Sequence, residues 1–87
     1  MSFQLEFSDN AKEDIAAFKK AGNKAVLKKL FKLLNELSED PFTGTGKPEM
    51  LKHQLTGCWS RRVSKEHRLV YLVSGDRVFI LSVRGHY

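Results

Sequence analysis

The 87-residue chain is 41% hydrophobic and 29% charged, a balance that suits one folded domain with one modest core and excludes both a disordered chain and a two-domain protein. A single cysteine, Cys58, excludes an internal disulfide and a thiolate zinc site, and no apolar run approaches the roughly 20 residues that cross a bilayer, so we expect a cytoplasmic protein with no membrane association. The net charge of +5 comes entirely from residues 44–87, with eight Lys or Arg against three acids, while residues 1–43 balance seven against seven; such a basic half selects a polyanion, most simply nucleic acid.

Phe3-Gln4-Leu5-Glu6-Phe7 alternates apolar and polar residues, the two-residue period of a half-buried strand. Ser8 is placed to cap the helix that follows, with Asn10 and Glu13 as an alternative capping pair. Ala11, Ile15 and Phe18 then repeat at helical spacing, and Gly22 supplies a C-terminal stop. A second helix is predicted over residues 23–38. There Val26, Leu27, Leu30, Leu33, Leu34 and Leu37 form a broad apolar face, and Lys24, Lys28 and Lys32 a polar one. The two helices are expected to form an antiparallel hairpin. Asp40-Pro41 ends this region, and the Gly and Pro content of residues 42–48 reads as a loop. Beyond it, residues 58–63, 67–73 and 77–84 are rich in β-branched and aromatic side chains and are separated by turns at 64–66 and 74–76. The predicted architecture is a single α+β domain over residues 1–87: an N-terminal strand, a two-helix hairpin, then an antiparallel β meander with the helices on one face.

Several chemistries fail on spacing. Gly46-Lys47 invites comparison with a phosphate-binding loop, but Pro41 stands where that motif needs glycine and Pro48 where it needs Ser or Thr. His53, His67 and His86 show no metal-ligand spacing, and no nucleophile elbow is present. Chemistry in which the substrate brings its own nucleophile remains, and RNA does so through its 2′-hydroxyl. It requires a base, an acid and cations around the phosphorus. Glu49 is a candidate base, because it is one of three acids in the basic half and follows a Gly- and Pro-rich loop; the alternative is a solvated loop carboxylate. His86 is a candidate acid, carried by the strand before it, the alternative being a tail histidine. Arg61, Arg62, Arg68 and Arg84 lie on or at the ends of predicted strands, suited to forked phosphate contacts. Alternation sends Arg61 and Arg62 to opposite faces, so at most one of them enters a given site. Lys47 and Lys52 are better placed to guide RNA than to catalyse. Lys65 and Arg77, beside turns, read as ordinary surface charge, His67 as structural, Cys58 as filler, and Trp59 and Tyr71 as core ahead of base-stacking.

These residues fall into a recognisable pattern: Pro41-Phe42-x-Gly44-x-Gly46-Lys47-Pro48-Glu49-x-Leu51-Lys52-His53-x-Leu55-x-Gly57-x-Trp59-Ser60-Arg61-Arg62, then Glu66-His67-Arg68-Leu69-Val70-Tyr71, then His86-Tyr87. The pattern closely resembles the Txe/YoeB family of toxins over residues 41–73 and 84–87, while residues 1–40 match only in helix and strand pattern. The resemblance implies a RelE-like fold related to microbial ribonucleases and an mRNA interferase that cuts messenger RNA in the ribosomal A site, with no cofactor. It implies Glu49 as general base, His86 as general acid, Arg68 as the cation on the pentavalent phosphate and Tyr87 as a residue shaping the pocket. Lys47, Lys52, Arg61, Arg62 and Arg84 would contact substrate or ribosome. The implied partners are a YefM-type antitoxin, the 70S ribosome with its mRNA, and a second copy in a homodimer. The expected products are a 2′,3′-cyclic phosphate, or the 3′-phosphate it becomes, and a 5′-hydroxyl. Two positions depart from the family form: Gly85 replaces a tyrosine and Cys58 a phenylalanine, the first bearing on efficiency.

Two other classes remain at this level. A non-catalytic RNA- or ribosome-binding inhibitor predicts the same basic half. A DNA-binding regulator fits less well, because no helix carries basic residues at its start in a helix-turn-helix arrangement.

Overall fold

The alternating segment forms strand β1 (Gln4–Phe7), and the chain turns directly into helix α1 (Asp9–Lys20). Ser8 makes the junction with one hydroxyl: Oγ accepts the Ala11 N–H at 3.0 Å, capping the helix, and donates to the Leu81 carbonyl at 2.9 Å, tying the cap to the sheet. Gly22, at φ +69, lets the chain leave α1 in the left-handed conformation that a side chain would resist. Asn23 Oδ1 accepts the Val26 N–H and starts α2 (Lys24–Glu39). The expected apolar face of α2 is buried at Val26, Leu30, Leu33, Leu34 and Leu37.

The computed structural model describes residues 2–51 and 57–85. Its remaining strands are β2 (Glu49–Met50), β3 (Cys58–Arg62), β4 (Arg68–Ser74) and β5 (Arg77–Gly85), arranged in one five-stranded sheet of order β1-β5-β4-β3-β2. The α+β architecture is therefore as expected, with two additions. β2 is a two-residue strand antiparallel to β3, within a stretch whose length and Pro48 give no strand signal. The sheet is also mixed, because β1 lies parallel to β5 in the register Gln4↔Arg77 to Phe7↔Ile80. A register irregularity between β4 and β5 leaves Leu81 opposite no β4 residue, and its carbonyl is the one that Ser8 and Asn10 reach.

Both helices pack on one face of the sheet. Leu69 and Tyr71 of β4 and Val78, Ile80 and Val83 of β5 meet Ala11 and Phe18 of α1 and the leucines of α2. Leu30, Leu33 and Leu37 are completely buried, so each contributes about 1.5–3 kcal/mol relative to exposure. Among the described residues no helix is long and apolar enough to cross a membrane.

Candidate active site

Strand alternation divides β3 and β4 between two environments. Leu69 and Tyr71 enter the core, so Arg68, Val70 and Leu72 occupy the face of the sheet turned away from the helices. Residues paired across antiparallel strands share a face, and the register places Arg62 opposite Arg68, Ser60 opposite Val70 and Glu49 opposite Ser60. Glu49, Ser60, Arg62 and Arg68 thus share that face, although three separate strands supply them.

Contacts agree with this register. Arg68 Nη1 donates to Ser60 Oγ at 3.0 Å and stands 3.8 Å from Glu49 Oε2. The Arg68 side chain is 17% exposed and that of Glu49 62%. The guanidinium is therefore braced against the sheet, while the carboxylate projects into solvent beside it. At 3.8 Å the pair is close enough for electrostatic attraction but too long for a hydrogen bond. Gly85, the residue before His86, is the register partner of Arg68 on β5. Lys52, His86 and Tyr87 lie outside the described residues. Ser60 was not singled out from the sequence; its spacing of two from Arg62 is the signal that would have found it.

Arg61 corrects an expectation. Rather than meeting substrate, its side chain is completely buried on the helix face. Its Nε donates to the Tyr71 hydroxyl (3.1 Å), Nη1 to Glu36 Oε1 (2.9 Å), and Nη2 to the carbonyls of Asp40 and Thr43. Tyr71 in turn donates to the Pro41 carbonyl (2.7 Å), and Glu36 accepts both the N–H and the hydroxyl of Thr45 (2.8 and 2.7 Å). The reason is alternation: once Arg62 takes the open face, Arg61 must enter the core, and a buried guanidinium needs a counterion and acceptors for its fork of donors. What it gains is control of the loop, because every acceptor except Tyr71 belongs to α2 or to residues 40–43. Burial pushes the Tyr71 hydroxyl pKa up, only partly offset by the Arg61 contact. For Glu36, burial pulls upward, but hydrogen bonds from Thr45 and the charge of Arg61 outweigh it and leave the carboxyl below its ordinary value. Asp40 is likewise lowered, by the Phe42 N–H and the Thr43 hydroxyl.

Arg84 takes part in an ion pair with helix α1. Its Nε donates to Asp14 Oδ1 of α1 at 3.0 Å, and its side chain stays 47% exposed. Asp14 Oδ2 accepts the Val83 N–H at 3.0 Å, latching the end of β5 to the helix. Lys47 is exposed and held at φ 53, directly after Gly46, whose carbonyl accepts the Arg62 N–H at 2.8 Å. Trp59 packs edge-on to Phe42 and His67 edge-on to Phe18, the structural roles read from the sequence. Lys65, read as surface charge, is exposed and lines one cleft with Lys29, Lys47 and Arg62. Among the described residues no three metal-ligating side chains cluster.

Similarity to known proteins covers the whole fold. A family model described as the YoeB-like toxin of bacterial type II toxin-antitoxin systems matches residues 7–87. Toxin YoeB of Escherichia coli K12 is 49% identical over 65 residues, which is 75% of this chain and 77% of that protein. A YoeB dimer from Staphylococcus aureus superposes with a TM-score of 0.88 at 40% identity, and a YoeB–YefM complex from the same organism with 0.85 at 41%; both cover 100% of either chain. The Glu49 carboxylate and the Arg68 guanidinium therefore sit on a fold and sequence shared along nearly the whole chain, and the protein belongs to the YoeB-like toxins of bacterial type II toxin-antitoxin systems.

Proposed function

We propose that this toxin is a metal-independent endoribonuclease that cuts mRNA on the 70S ribosome in the cytoplasm and so stops translation. One observation carries the reading: an exposed carboxylate, Glu49, stands 3.8 Å from an arginine, Arg68, that Ser60 braces on the sheet face turned away from the helices. RNA needs those two groups next to each other, one to take the 2′ proton and one to hold the phosphate whose charge grows as the 2′ oxygen attacks. In the proposed reaction Glu49 accepts the 2′-hydroxyl proton and the 2′ oxygen bonds to phosphorus. The bond to the 5′ oxygen then breaks, and His86 protonates that leaving oxygen. The products are a 2′,3′-cyclic phosphate, which water can open to the 3′-phosphate, and a free 5′-hydroxyl. Arg68 has donors left beyond the one given to Ser60, and these face the phosphate. Tyr87 shapes the pocket, and Lys47, Lys52 and Arg62 hold the strand. Arg61 drops out of the substrate contacts, because its side chain is completely buried against Glu36; Arg84, which meets Asp14 through Nε but is about half exposed, stays among them.

For partners we propose a YefM-type antitoxin, whose acidic segment would cover the basic face, and a second copy of the toxin. The S. aureus relatives occur as a YoeB–YefM complex and as a dimer, which supports both. The test is purified protein with ribosomes and a programmed mRNA, with the RNA ends mapped. Cleavage leaving 5′-hydroxyl ends is expected, and Glu49→Gln, Arg68→Ala and His86→Ala each slow it by about 100- to 10,000-fold. Uncut mRNA with translation still blocked would replace catalysis by occupancy.

A further inference from the structure

A cleft of about 380 Å³ opens where α2, the Gly46-Lys47 turn and the end of β3 meet. Its lining includes Lys29, Lys47, Arg62 and Lys65 together with Ser64, and no carboxylate. None of the four cations forms an ion pair among the described residues, whereas Arg61, Arg68 and Arg84 all do. They arrive from three separate parts of the chain, so no local sequence run explains their convergence. Four like charges around one concavity repel one another, and the unfolded chain would relieve that repulsion. Lys47 adds a second cost, since it holds a left-handed backbone conformation (φ 53) that a residue with a Cβ resists. Strain and repulsion gathered at one place are the marks of a site completed by an anion.

We propose that this cleft is a second phosphate site, which takes a backbone phosphate of an RNA strand while the adjoining part of the strand lies on Arg68. Arg62 links the two, because it lines the cleft and is also the cross-strand partner of Arg68. Lys29 and Lys65 complete the cleft and belong to no part of the reacting group. The identity of the anion as RNA rests on the ribonuclease reading; the cleft's affinity does not depend on cleavage.

The experiment measures binding of a short, fully 2′-O-methylated single-stranded RNA by fluorescence anisotropy across a salt series, using the whole chain. The Lys29→Gln/Lys65→Gln protein is compared with Lys12→Gln/Lys19→Gln, which removes the same charge from a groove on the helix face. Glutamine preserves the aliphatic stems, and Lys65→Glu, at an exposed position, repeats the test without touching α2. The cleft variants are expected to lose roughly three- to thirtyfold in affinity at moderate salt. For the double variant, the slope of log K against log salt falls by about 1.4, because each lost single-strand phosphate contact removes about 0.7. The helix-face control should stay within about twofold. Equal losses in both double variants would overturn the site and leave only the overall field of the protein. Cosedimentation with 70S ribosomes separates the sources: a defect there with unchanged binding of free RNA would overturn the shared strand and leave a contact to ribosomal RNA only. Should mRNA stay uncut by the wild type while the cleft variants still bind RNA weakly, the ribonuclease reading alone fails.

Discussion

Replacing Glu36 by glutamine tests the claim that Arg61 is a buried structural charge. The substitution barely alters shape. Glutamine can place its carbonyl where Oε1 accepts from Arg61 and Thr45 N, and its NH2 then faces the Thr45 hydroxyl, which can rotate to accept. What disappears is the negative charge opposite a guanidinium with 0% exposure. Breaking a fully buried pair costs about 3–5 kcal/mol. Glu36 is 26% exposed, and the Asp40 and Thr43 carbonyls still serve Arg61, so we expect about 2–3 kcal/mol. At about 4–8 °C per kcal/mol for a domain of this size, Tm falls by about 8–24 °C. The variant should remain folded at 25 °C if the total stability lies in the usual range of about 5–15 kcal/mol. Urea unfolding supplies the free energies, and a pH series supplies the mechanism. The Glu36 carboxyl is lowered in the folded state from an ordinary value of 4.5, so its contribution is complete above that value and is lost as pH falls through the folded one. Acid should therefore shrink the stability gap between wild type and Glu36→Gln. A gap below about 0.5 kcal/mol at neutral pH, or one that stays constant on acidification, would refute the reasoning.

Further outcomes follow from the loop and the β5 latch. Gly46→Ala forces a Cβ to within 2.8 Å of the Arg62 carbonyl at φ +84, and should destabilise by about 1–3 kcal/mol in urea unfolding. Lys47→Gly should do the opposite: relief of left-handed strain, less the entropy of glycine, raises stability by roughly 0.5 kcal/mol while RNA affinity falls, which parallel unfolding and anisotropy measurements would show. Asp14→Ala leaves the buried Val83 N–H without its acceptor and should cost about 1–3 kcal/mol, with hydrogen exchange at Val83 accelerating before that of the central strand β4. Deleting His86 and Tyr87 should abolish mRNA cleavage while the thermal transition changes little; an active truncated protein would displace the acid from this site.

Helices and strands were legible because their periods are local. Ser8, Gly22 and Asn23 punctuate the chain where capping chemistry requires it, and α2 buries the leucines its pattern selects. The parallel pairing of β1 with β5 was not legible, since it joins segments at opposite ends of the chain, and two-residue β2 is too short to have a period. Alternation separated Arg61 from Arg62 but could not say which was inside. The answer lies in Glu36 on α2, a carboxylate that looks like any helix-surface acid until the loop at 40–46 folds over it. Lys29 and Lys65 were overlooked for the same reason, since only the tertiary fold brings a helix lysine beside a turn lysine. Glu49 and Arg68 could be nominated from scarcity and type, but their shared face depends on a register that only the paired strands define.

The strand order has a consequence for biosynthesis. β5 lies between β1 and β4 and also receives α1, yet in chain order it follows every other element. While this domain is being translated, β1 has no sheet partner and the inner face of α1 has little to rest on. The core closes only when β5 emerges. Abortive products that stop before β5 should therefore be unfolded and open to proteases. A chain built this way completes its core in one late step, after nearly the entire domain has been made.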